Sequence, residues 1–190
     1  MFTFFNRCSN FDSRTVEPLT TPTRDVAAFK RAVGHFPTGL TIVTAHHGAI
    51  PVGMTLQSFM SLSLDPMLIA LAVARTSTTW PLIEPTGAFA VNILAGHHHN
   101  LARRFAVHPE KRFEAVEYST SRAGNPVFTD SVAWLDCRTH RIVDGGDHWI
   151  VMADVIEIGG APDGAAEPAL VFFRSRFHHT TTPHPEEGTP

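Results

Sequence analysis

Two pairs of β-rich runs, each joined by a tight turn, constrain this chain more than any other feature. Residues 40–45 are β-branched and alternating, His46-His47-Gly48-Ala49 supplies a turn with a glycine free to take positive φ, and residues 50–59 continue as a return strand. Farther on, residues 132–143 read as a long strand, Asp144-Gly145-Gly146-Asp147 as a strong turn, and residues 148–158 as its return. Connections this short force antiparallel pairing. Further strands are expected at 67–73, 88–94 and 169–173, for about seven in all. A first helix should start behind Asp25 as N-cap, with Val26, Phe29, Val33 and Phe36 as one apolar stripe and with Gly34 and Pro37 at its end. Short helices are also expected at 77–83, with Ser77 capping, and at 98–105, with Leu101 and Phe105 inward. The predicted fold is therefore mainly β with peripheral helices, a β-barrel or closed antiparallel sheet. Neither a GxGxxG after a strand nor a P-loop is present, so a doubly wound nucleotide fold has no support.

The chain has 190 residues, 43% of them hydrophobic and 17% charged, which suits one globular domain with a proper core. Its net charge of −3 is spread without a block of like charge, which argues against a nucleic-acid surface or a polybasic membrane patch. Cys8 and Cys137 stand too far apart in sequence and too few in number to form a disulfide framework or a zinc site. The N-terminus meets Asn6 and Arg7 before a signal-peptide core can form, and no apolar run is long enough to span a membrane. A cytoplasmic protein is expected. Residues 1–23 read as a flexible arm, 24–177 as the domain and 178–190 as a disordered tail.

Four clusters could carry chemistry. The first is a row of small hydroxyl residues, Thr38, Thr44, Thr55, Ser58, Ser61 and Ser63, interleaved with Gly53, Met54 and Phe59. Such a row either satisfies neighbouring backbone or presents donors to the polar edge of a flavin ring, and residue types alone favour the backbone. In the second, Arg75-Thr76-Ser77-Thr78-Thr79, a cation and hydroxyls at a helix start suit a phosphate, although a capped surface turn explains the same residues. The third is the turn Gly145-Gly146-Asp147-His148, where a glycine permits close backbone approach and Asp147 could orient His148. The fourth, His97-His98-His99, reads as a polar loop or helix start, because consecutive imidazoles cannot all face one metal and no acidic or cysteine cluster completes a site.

A set of short segments then carries a resemblance. Phe-Pro-Thr-Gly at 36–39, Gly-Met-Thr at 53–55, Ser58-Phe59 and Ser-Leu-Ser-Leu-Asp-Pro at 61–66 come first. Ser77-Thr78, Phe-Ala-Val-Asn-Ile-Leu at 89–94, Leu-Ala-Arg-Arg-Phe at 101–105, Trp-Leu-Asp-Cys at 134–137 and Gly146-Asp147-His148 follow in order. Over roughly 25–177 the chain resembles the short-chain flavin reductases, the reductase components of two-component flavin-dependent monooxygenases. The resemblance implies an FMN-binding split β-barrel, usually a homodimer with the flavin near the subunit interface. It implies FMN or FAD as cofactor and NADH or NADPH as hydride donor, with reduced flavin passing to a partner monooxygenase. Carried over, the flavin would lie against Thr38, Met54, Thr55, Gln57, Ser58, Ser61, Leu62 and Ser63, with its phosphate near Arg75, Ser77 and Thr78. Gly146, Asp147 and His148 would form the nucleotide side, with His148 positioning the nicotinamide.

Four positions depart from the family pattern. Gln57 replaces a small residue, Met67 a second proline, Ala153 a glycine, and Phe177 stands where tyrosine is common. The rival function is a non-reductase flavin- or heme-binding protein on the same barrel. An oxidase of a small amine such as a pyridoxine phosphate would fit the barrel too, but no basic cluster is evident for that substrate's phosphate.

Overall fold

A computed structural model describes residues 24–160 and 167–181. The expected N-terminal arm, with Cys8, and the tail beyond residue 181 lie outside the described residues. Helix α1 (Val26–Val33) begins as expected, with the Asp25 carboxylate accepting from the Ala28 N–H at 2.9 Å. Its apolar stripe does not face the core. Only Ala28 is buried, while Val26, Phe29 and Phe36 stand more than half exposed.

Seven strands form the main sheet, all pairs antiparallel: β2 (Thr41–His47), β3 (Ile50–Leu56), β4 (Met60–Leu64), β5 (Met67–Ala74), β6 (Ala88–Ile93), β9 (Ala133–Gly145) and β10 (His148–Gly160). Their spatial order is β3-β2-β6-β9-β10-β5-β4. Both expected hairpins are present, β2 with β3 and β9 with β10. The first is shorter than the sequence suggests. The run expected to continue to residue 59 stops at Leu56, Gln57-Ser58-Phe59 crosses over, and β4 joins the opposite edge of the sheet.

Because β3 and β4 are separated by only those three residues, the two sheet edges must approach each other, and the sheet curls. The edges are not hydrogen-bonded to one another, so the sheet is open and the closed barrel expected from the sequence is not formed.

Smaller sheets flank this one. β1 (Thr38–Gly39), β11 (Leu170–Phe173) and β12 (Arg176–His179) form one, while β7 (Ser119–Thr120) and β8 (Pro126–Val127) form another. The tail expected to be disordered from 178 is thus strand as far as His179, with Val171 opposite His178 and Leu170 opposite His179. No apolar periodicity marks β12 because its exposed residues satisfy backbone pairing, not burial.

Helix α2 (Trp80–Ile83) carries Pro81 in its first turn, and α3 (His99–Val107) lies against β3 and β2. Along β2 successive side chains take opposite faces, yet residues 40–45 are all buried. Val43 and Ala45 join one cluster with Met54, Leu71, Phe89 and Val151. Leu40 and Ile42 join another with Ala102, Phe105, Phe128 and Leu170, so α3 and the β1–β11 pair cover the sheet's second face. Burial of each such side chain is worth about 1.5–3 kcal/mol, which makes this double-faced region the anchor for everything at the sheet edges. Among the described residues no helix is long and apolar enough to cross a membrane.

Candidate active site

The register of β5 and β10 brings two of the sequence clusters together. His148 lies opposite Ala74, so the 146–148 turn sits against the residues that follow β5. Gly146 takes φ 81°, as the turn requires. The His148 ring is held at its Nδ1 by the Asp147 carboxylate at 2.6 Å. Its Nε2 is buried and has no partner among the described residues. Asp147 does orient His148, as its place in sequence suggested.

Arg75, expected to meet a phosphate, is already engaged. Its backbone N–H donates to the Asp147 carbonyl at 3.0 Å and its Nε to the Gly146 carbonyl at 2.8 Å. Its Nη2 pairs with the Asp144 carboxylate, and its guanidinium stacks 3.6 Å from the Trp149 ring centroid. Asp144 also accepts from the Gly146 N–H at 2.9 Å. That amide and the neighbouring Arg75 charge hold the Asp144 carboxyl below its usual range.

Ser77 is likewise committed. Its oxygen accepts from the Thr79 and Trp80 N–H groups at 3.3 and 3.1 Å, and its hydroxyl reaches the Met54 sulfur at 3.5 Å. The Thr79 and Trp80 amides are therefore capped from within the chain. Thr78 stays exposed beside them.

The hydroxyl row divides. Thr55 donates to the Ala102 carbonyl at 2.7 Å, tying α3 to β3. Thr44 donates to the Pro126 carbonyl and accepts from the Asn92 side-chain amide. Ser58 donates to the Ala72 carbonyl at 2.7 Å and accepts from the Ala72 N–H at 3.0 Å. These three hydroxyls serve backbone or a buried network.

Thr38 differs, since its Oγ1 is buried and has no partner among the described residues. Ser61, Leu62 and Ser63 lie on β4, the outermost strand, where the pairing with β5 slips between Ser61 and Ser63. An edge strand leaves alternate backbone N–H and C=O groups without a strand partner, and a slip re-aims side chains. Met54 is buried in the core, and Gln57 is half-buried in the crossing.

Two features escaped sequence reasoning. Arg112 donates from Nη1 to the Gly53 carbonyl at 2.8 Å and to the Thr79 hydroxyl. Its Nε is buried without a partner among the described residues, and burial pulls its pKa below the usual guanidinium range.

Asp130 completes a cluster with His97 and His98, with the three ligand atoms within 4.8 Å of one another. An acidic partner thus exists where none was expected, brought there by the fold. The cluster still does not suit a metal. The His98 Nδ1 accepts from the Ala95 N–H at 3.1 Å, which places the proton on Nε2, 3.0 Å from Asp130. A nitrogen that donates has no lone pair for a cation. Burial lowers the His98 pKa, in keeping with this neutral ring.

The flavin reductase-like domain family matches residues 33–181. The chain belongs to that family. It is 34% identical over 166 residues to the reductase subunit of a flavin-dependent monooxygenase from Mycobacterium tuberculosis, covering 87% of each chain. Among solved structures, nitrilotriacetate monooxygenase component B from Mycobacterium thermoresistibile superposes with a TM-score of 0.79 at 35% identity, over 86% of this chain and 89% of that one. The NADH:FAD oxidoreductase of Streptomyces globisporus C-1027, solved with NAD and FAD fragments, superposes with a TM-score of 0.76 at 32% identity, over 93% of this chain and 100% of that one. Membership in the flavin reductase-like family accounts for the order of the sequence segments.

Proposed function

We infer that this protein is an NAD(P)H-dependent flavin reductase that reduces FMN or FAD and supplies the reduced flavin to a partner monooxygenase. The observation that carries the reading is the turn at 146–148 locked against the end of β5, with His148 held by Asp147 and its Nε2 without a donor among the described residues. With Nδ1 facing a carboxylate, the neutral ring has an acceptor at Nε2, suited to the carboxamide N–H or a ribose hydroxyl of a nicotinamide nucleotide.

The residues present also suit a flavin. Among the described residues the outer edge of β4 at Ser61, Leu62 and Ser63 has no strand partner and offers backbone donors and acceptors to a planar heterocycle, and Thr38 Oγ1 lacks a partner. Met54, Thr55, Gln57 and Ser58 would shape the floor of the site by packing, while Thr78 and its neighbours would lie toward a phosphate. When bound, the flavin supplies the redox chemistry, accepting a hydride from the dihydronicotinamide. The chain's task is to bind both rings, orient them and exclude water.

The family fold, a split barrel, is supported by sheet edges that are consecutive in sequence. A homodimer is supported by the apolar residues exposed along one edge, Met60, Leu62, Leu64 and Met67, with Leu64 86% exposed. A cytoplasmic location suits a reductase fed by nicotinamide nucleotides.

The test is oxidation of NADH and NADPH by the purified protein, followed by loss of dihydronicotinamide absorbance with FMN, FAD or no flavin. Turnover that needs added or bound flavin is expected. Stoichiometric cofactor binding without turnover by either nucleotide would favour a non-reductase flavin- or heme-binding protein. His148→Ala should raise the apparent nucleotide KM more than the flavin KM, and unchanged nucleotide kinetics would remove His148 from the site.

A further inference from the structure

Arg75 stands at the end of β5, where a cation beside Ser77 and Thr78 suggests a phosphate anchor, yet each of its polar contacts points the other way. It bonds to Gly146 and Asp147 through their carbonyls, pairs with Asp144, and covers the face of Trp149. Those four residues bracket His148 on both sides. Asp144 closes the loop by accepting from the Gly146 N–H, so a single guanidinium ties together both ends of the two-residue turn. Asp144 is itself largely exposed, and among the described residues its carboxylate is held by Arg75 and the Gly146 N–H. A hairpin tip bearing two adjacent glycines, Gly145 and Gly146, has little stiffness of its own. Arg75 adds contacts to this tip from outside the hairpin.

We propose that Arg75 is a positioning residue that braces the 144–147 turn against the end of β5 and so sets His148 for the nicotinamide, and that it is not an anchor for the flavin phosphate. The proposal rests on the reading that the 146–148 turn faces the nucleotide. Planarity matters to it. A guanidinium can stack on an indole while its edge donates in two directions, and an ammonium cannot. Lysine at this position should therefore restore the charge without the brace.

Two measurements test this, one of them independent of activity. In Arg75→Ala, amide hydrogen exchange across residues 145–148 should quicken while exchange in the β2–β3 hairpin stays unchanged. In steady-state assays the same variant should raise the nucleotide KM by roughly three- to tenfold, the range expected on removing a charge-assisted hydrogen bond at a half-exposed site. The ratio of FMN to riboflavin affinity should not move.

Arg75→Lys should resemble Arg75→Ala, and Asp144→Ala should reproduce the effect without adding to it in the double variant. A fall in FMN affinity relative to riboflavin, with nucleotide KM unchanged, would make Arg75 a phosphate ligand and overturn the proposal. Unchanged exchange at 145–148 would overturn it as well. Wild-type protein without flavin-dependent turnover would instead defeat the reductase reading, and the exchange result would still report on the brace.

Discussion

Ser58→Ala removes one oxygen and with it both hydrogen bonds that close the outer side of β5 at Ala72. On that side the last strand partner is Met60, opposite Ala70, so no β4 backbone reaches the next outward-facing residue, Ala72. The Ser58 hydroxyl takes the place of the missing rung, accepting from the Ala72 N–H and donating to its carbonyl. That substitution lets the chain leave β3, cross through Gln57-Ser58-Phe59 and restart as β4 without stranding a backbone pair.

Each net hydrogen bond is worth about 1 kcal/mol, and a group left buried and unpaired costs about 1–3 kcal/mol. Ala72 is half-buried, so water recovers part of that, and a loss of about 2–3 kcal/mol is expected. With a urea dependence of about 2 kcal/mol per molar, the unfolding midpoint should fall by about 1 M at a fixed protein concentration. Urea titration without flavin, followed by far-ultraviolet circular dichroism, gives the midpoint, and flavin titration of the same variant gives the affinity. A midpoint within about 0.2 M of wild type together with a tenfold loss of flavin affinity would refute the reasoning and make Ser58 a ligand contact, not a structural one.

The remaining predictions concern buried groups. Burial, reinforced by the nearby Asp136 and Asp154 charges, pushes the Cys137 thiol up to about 12. Iodoacetamide at mildly alkaline pH should therefore leave Cys137 unmodified in the folded protein and alkylate it in urea, as read by peptide mapping. Native-state modification would show that the strand opens. His98 has its pKa lowered by burial, so on acidification the unfolded chain takes up a proton before the folded one does. Stability from this group is complete above the ordinary histidine value of about 6.5 and is lost as pH falls from there toward the lowered folded value. His98→Asn keeps an acceptor for the Ala95 N–H and should flatten the fall in unfolding midpoint over that window. An unchanged pH profile would show that another group carries the dependence.

Much of the fold was legible in the sequence because it depends on local chemistry. Alternation in 41–47 and 133–145, with glycines at Gly48 and Gly146, specifies hairpins whatever surrounds them. Asp25 caps α1 for the same reason, since its carboxylate needs only the next few amides. The break at Gln57 left no such mark, because β3 and β4 differ in partner and not in strand propensity. The exposed stripe of α1 also shows the limit of periodicity, which says that a face is apolar without saying what covers it.

The candidate site divides along the same line. By itself the sequence determined which residues could do the chemistry: a hydroxyl row, an arginine before a cap, and a Gly-Asp-His turn. It also determined the family, whose segments come in order. Only the tertiary structure decided where each donor goes. Hydrogen bonding is a matter of ångströms between residues far apart in the chain, and no spacing rule sees that Ser58 meets Ala72, that Thr55 meets Ala102, or that Asp130 meets His98. The same register that places Ala74 opposite His148 sets Arg75 against the 144–147 turn, where its guanidinium meets the Gly146 carbonyl and the Asp144 carboxylate.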